Sequence, residues 1–109
     1  MRVISLVLIF TVILGGSGGA NGEELMSEMQ WDTDHQGSDL NPKGLDLATT
    51  DPTLCEDECA RNPACKAWTY VKPNTVKGPL PKCFLKKAVP KEKPNPACVS
   101  GIKVMTQGR

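Results

Sequence analysis

The chain has 109 residues, room for one small domain and no more. Thirteen basic residues against twelve acidic ones leave a formal charge of +1, which offers none of the strong basic excess that nucleic-acid binders use. Five cysteines and only five aromatics describe a chain whose apolar core is thin and whose sulfur content is high.

The chain starts on Met1-Arg2, continues with the apolar run Val3 to Leu14, and then reads GGSGGA to Ala20. A positive start, a greasy stretch too short to span a bilayer comfortably and a small-residue ending are the marks of a secretory signal peptide over residues 1–20. Cleavage after Ala20 is expected, with Gly19 and Gly22 as alternatives, and a retained membrane anchor is the competing reading. The mature chain is then exported and not membrane-embedded, in an extracellular or periplasmic space where disulfides persist.

Residues 21–28 are polar and read as a flexible lead-in, with the domain over residues 29–104 and a short tail at 105–109. Met29-Gln30-Trp31 is a candidate first strand. Asp32 to Gly44 (DTDHQGSDLNPKG) is rich in Asp, Gly, Asn and Pro and reads as a turn-forming loop. Leu45-Asp46-Leu47 is a brief strand or lead-in. A helix then starts cleanly: Asp51 can cap, Pro52 sits where a missing N–H costs nothing, and Glu56, Asp57 and Glu58 lie toward the positive end of the dipole. Asn62-Pro63 closes it after about ten residues, too few to hold together alone.

Cys65 to Val71 (CKAWTYV) is the strongest strand signal. Lys72 to Lys82 carries three prolines and a glycine and must be a loop. Cys83 to Lys86 is a second strand, Lys87 to Ala97 is again broken by proline, and Cys98 to Val104 is a last strand. Acids crowd the first half and bases the second: eleven acids and one base lie between Glu23 and Glu58, eleven bases and one acid between Arg61 and Arg109. The split can mark a binding face. A compact domain folding both halves into one layer structure, so that the charges interleave, is the favoured reading.

Cys55 and Cys59 lie four apart on the helix and share a face, so both can point at one sheet. Two bonds among five cysteines allow fifteen patterns, and spacing alone does not choose. The CEDEC spacing, the CKAWTYV and KCFL strands, the terminal CVSGIK and the opening WDTDHQGSDL together resemble a PAN/apple domain, of the short bacterial secreted type, over Met29 to Lys103. The resemblance implies an α+β fold, one central helix on a curved antiparallel sheet, and the pairs Cys55–Cys83 and Cys59–Cys65. It also implies a non-catalytic module that recognises an extracellular protein or carbohydrate. Apple domains add a bridge from a cysteine near the N-terminus, which this chain lacks. Cys98 is therefore either a buried free thiol or the link of a disulfide-bonded homodimer, the second being the basis of an alternative structural role.

Other chemistry finds little footing. One histidine, His35, is not enough for a Cys/His zinc site in an oxidising space and reads as a solvated loop residue. Asp32, Asp34 and Gly37 start a calcium-loop pattern that fails at Gln36 and at Lys43. No cofactor, metal or catalytic set is assigned, and no nucleic-acid partner. Candidate ligand contacts are Trp31, Tyr70 and Trp68. If Cys65 faces the helix, counting by twos sends Ala67, Thr69 and Val71 the same way and Trp68 and Tyr70 to the far side, with Phe84 opposite Cys83. Burial is expected for Trp68 and Phe84, more exposure for Tyr70 and Trp31.

Overall fold

The computed structural model describes residues 25–104. The expected signal peptide, the start of the lead-in and the C-terminal tail lie outside them. Six strands and one helix follow in the order β1 (Leu25–Met26), β2 (Gln30–His35), β3 (Leu45–Asp46), α1 (Pro52–Arg61), β4 (Ala67–Val71), β5 (Lys82–Lys86) and β6 (Glu92–Val104). All strand pairs are antiparallel. The sheet runs β1-β6-β4-β5-β3, with β2 also on β6, and curls into a half-barrel carrying the helix. The α+β architecture read from the sequence is the one observed.

The helix forms as its residues dictate. Asp51 Oδ1 accepts from the Thr53 amide at 2.9 Å, and Pro52 occupies the first helical position. The acids at 56–58 fall beyond the first turn, so the dipole gains less from them than their sequence position suggested. At the other end the Asn62 amide returns to the Cys59 carbonyl, and the Lys103 ammonium donates to the Asn62 carbonyl at 2.9 Å. A cation on the last carbonyls suits the negative end of the helix. Two bonds, Cys55–Cys83 and Cys59–Cys65, tie the helix to β5 and to the segment entering β4. They close loops of 28 and 6 residues.

Cys55, Cys59, Cys65, Trp68, Tyr70, Cys83, Leu85 and Val99 form the core between helix and sheet. This reverses the side assigned to Trp68 and Tyr70 from the sequence. Cys65 does not belong to the strand: its amide bonds back to the Asn62 carbonyl in a tight turn, and β4 begins at Ala67. Counting by twos from Cys65 therefore starts out of phase. Trp68 lies opposite Gly101 in the ladder, and a Cβ on that glycine would stand 2.6 Å from the indole. Only hydrogen at position 101 lets the ring lie flat on the sheet. The indole N–H there is buried without a hydrogen-bond partner among the described residues.

Two stretches expected as loop are strand. β2 extends through Asp32–His35, with Asp32 at φ 56° where the register with β6 shifts. An aspartate tolerates that conformation. β6 starts at Glu92 despite Pro94 and Pro96, because β4 pairs only with residues 98–102; the earlier part is paired on one edge, where a proline without N–H is tolerated. The sheet also begins at Leu25, inside the segment expected to be flexible, where Leu25–Met26 pair with Val104 and Lys103.

Candidate functional site

The half of the sheet surface turned away from the helix has its own chemistry. Val71, Phe84 and Cys98 make a second, small apolar cluster there. Beside it runs a buried polar ladder: Ser100 Oγ donates to the Thr33 carbonyl at 2.7 Å, Thr69 and Ser100 share a hydroxyl bond of 2.8 Å, and the His35 amide reaches the Thr69 hydroxyl at 3.4 Å. Each buried hydroxyl has a partner, as burial demands.

His35 belongs to this face and is 1% exposed, not the solvated loop residue expected from its surroundings in sequence. Its Nδ1–H donates to the Pro90 carbonyl at 2.6 Å. The Gln30 side-chain amide spans His35 Nε2 at 2.8 Å and the Glu92 carboxylate at 2.7 Å. The imidazole thus ties β2 to the start of β6. Among the described residues no group of three His, Cys, Asp or Glu side chains could hold a metal ion. Asp32 and Asp34 stand on a strand, not in a chelating loop.

A pocket of ≈560 Å³ opens on this far face. Its floor is Val71, Phe84, Ala97 and Cys98, and its walls come from β2, from the 36–39 segment and from the loop between β4 and β5. That loop ends in a tight turn: Thr75 and Gly78 exchange backbone hydrogen bonds of 3.1 and 2.9 Å, with Val76 and Lys77 at the tip. Val76 is 98% exposed at the pocket mouth. Lys86 pairs with Asp39, its β-bridge neighbour, and its side chain is almost fully buried. The Lys77 and Lys86 ammonium groups lie 5.4 and 5.7 Å from the centre of the Phe84 ring, close enough for cation–π attraction. Gly44 (φ 78°) closes on the same ring: a Cβ there would come within 2.8 Å of it.

Cys98 lines this pocket, unpaired and 2% exposed. Burial pushes its thiol up from 9.0 to about 11, with the Asp34 carboxylate adding to the rise and Lys86, Lys77 and Lys72 opposing it. A bond to a second chain would require the sheet to open around the sulfur. The homodimer expected as an alternative thus meets a thiol that is both sheltered and reluctant to ionise.

Of the aromatic candidates, Trp31 and Tyr70 meet and Trp68 does not join them. Trp31, on β2, stands beside Val99, which pairs in turn with Tyr70, so the two rings fall on the helix side of the sheet. With Thr50, Pro52, Lys72 and Pro73 they border a cleft of ≈430 Å³. Trp31 is 59% exposed; Tyr70 is only 2% exposed, against the expectation that it would be open, because it sits in the helix-facing row. Burial, then the nearby Asp51 carboxylate, raise the Tyr70 pKa. Trp68 lies wholly in the core.

The far-face pocket itself was missed by sequence reasoning. Its residues come from five separate stretches, and the one available signal was that Cys98, Phe84 and Val71 keep a common parity once the ladder is known. The acidic and basic halves do interleave: β2 pairs with β6, and Asp46 and Asp39 pair with Lys82 and Lys86.

No curated protein and no solved structure matches the chain. A protein-family model described as a PAN domain matches residues 33–86, the stretch from the end of β2 through α1 to the end of β5. That span holds both disulfides, the helix and strands β3, β4 and β5. With the helix, the curled antiparallel sheet and the match in agreement, the chain carries a PAN domain of the PAN/apple family.

Proposed function

We propose that this chain is a secreted recognition module for an extracellular protein or glycan, and that its ligand enters the far-face pocket. PAN domains are in general non-catalytic modules that bind proteins or carbohydrates, and disulfide-stapled folds of this kind are typical of extracellular modules. The observation that carries this reading is the pocket's make-up: an apolar floor, with Asp34, Thr75, Lys77 and Asn95 around it. Small-ligand sites combine apolar lining with a few polar groups in this way, within a range of about 300–1,000 Å³. A second reading places a carbohydrate at the Trp31 cleft, since an exposed indole beside Tyr70 offers a stacking surface.

The test is binding of the purified domain to a glycan array and to extracellular proteins. The double variant Val76→Asp/Lys77→Glu changes exposed turn residues and keeps the core intact. Loss of binding of at least ~10-fold in that variant, with Trp31→Ala unaffected, supports the far-face site. The opposite pattern moves the site to the Trp31 cleft, and silence in both assays counts against a recognition role.

A further inference from the structure

The charges around the far-face pocket are not all matched. Lys86 pairs with Asp39, which neutralises one cation and one anion within the wall. Asp34 on β2 and Lys77 on the turn also line the pocket, and neither makes an ion pair among the described residues. The site therefore has one unmatched carboxylate and one unmatched ammonium, on two different elements, with Val71, Phe84 and Cys98 as the apolar surface they share. Val76 overhangs the same space.

The floor does not suit a sugar ring. Stacking needs an open aromatic face, and the Phe84 ring is 6% exposed, abutted by Gly44 and approached by two ammonium groups. Its neighbours Val71, Ala97 and Cys98 present branched or small surfaces of the kind that receive an aliphatic or aromatic side chain. A ligand that fits all three features carries a cation, an anion and a bulky apolar group between them.

We propose that the far-face pocket takes a short zwitterionic peptide, with an apolar side chain over Val71 and Cys98, its ammonium toward Asp34 and its carboxylate toward Lys77. The volume of ≈560 Å³ exceeds the needs of a single free amino acid and suits a chain of roughly two or three residues. This rests on the reading of the pocket as the ligand site and narrows it from protein or glycan to peptide.

Calorimetric titration with Ala-X-Ala tripeptides, X being Leu, Ile, Met or Phe, tests the charge assignment. Each peptide is used with free termini, N-acetylated and C-amidated. Either block is expected to weaken binding of the best peptide by roughly 10-fold. Asp34→Asn is expected to abolish the effect of acetylation alone, and Lys77→Gln that of amidation alone. In parallel, NMR shifts of the Val76, Lys77 and Cys98 backbone amides report occupancy, because all three residues line the pocket; bound peptide is expected to move them. Equal affinity for free and blocked peptides overturns the proposal, as does failure of every peptide to bind. If neutral oligosaccharides from the array shift these amides while peptides do not, the peptide class is wrong and the pocket reading stands. If no ligand that binds the domain shifts these amides, both fall.

Discussion

Cys98 is the residue on which the chemistry of the far face is most readily measured. Its thiol is held at about 11 against an ordinary 9.0. Below pH 9 the folded and unfolded chains both keep the proton. Between pH 9 and 11 the unfolded chain gives it up and the folded one does not, so stability falls through that window, by about 2–3 kcal/mol at its upper end. Chemical denaturation at pH 8 and pH 11 of the wild-type protein and of Cys98→Ala checks this. The alanine variant is expected to lose less stability on the way up, since it lacks this thiol and shares the titration of every other group. Gly101 makes a second prediction at the same scale. A methyl at that position meets the Trp68 indole at 2.6 Å inside the core, and the strand leaves neither partner room to shift. Gly101→Ala should cost about 1–3 kcal/mol, the usual toll of overpacking, read as a lowered denaturation midpoint. A stability equal to wild type would mean the indole is not seated on the sheet.

At the scale of elements, the helix depends on its sulfur links. Ten residues with few apolar positions do not form a lasting helix in water. The Cys55–Cys83 bond closes the longer loop and joins the helix to β5, while Cys59–Cys65 closes a short loop at the helix end. On chain entropy alone the first contributes about 3–4 kcal/mol and the second about 2–2.5 kcal/mol. Replacing Cys55 and Cys83 together by Ala should therefore lower the unfolding free energy more than replacing Cys59 and Cys65, a ranking that thermal or urea denaturation reads directly. The elements were legible in sequence where the signal was local. Asp51-Pro52 and Asn62-Pro63 bracketed the helix, and Trp68 to Val71 carried strand propensity strong enough to declare itself. They were illegible where pairing decided the matter. Asp32 to His35 and Glu92 to Ala97 look like loops by composition, and become strands because each supplies the other's edge across the bulge near Asp32.

For the whole molecule, the same distinction separates fold from site. The framework could be anticipated because the cysteines, the helix signals and a family resemblance all point to one arrangement. The pocket could not, because it is assembled from β2, the 36–39 segment, the turn at 75–78 and three strands whose side-chain parity depends on where β4 begins. Counting from Cys65, which lies in the turn before β4, puts the alternation out of step by one and exchanges the faces of Trp68 and Tyr70. The resulting picture is a sheet with two unlike sides. One is sealed against the helix by two disulfides, and the other is open and carries the single free thiol. A mass-spectrometric disulfide map of the native protein, with free thiols alkylated before digestion, tests that division most directly. Peptides linked through Cys55–Cys83 and Cys59–Cys65 are expected, with Cys98 alkylated once the chain is unfolded. Cys98 found in any disulfide, or a helix cysteine found bonded elsewhere, would contradict it.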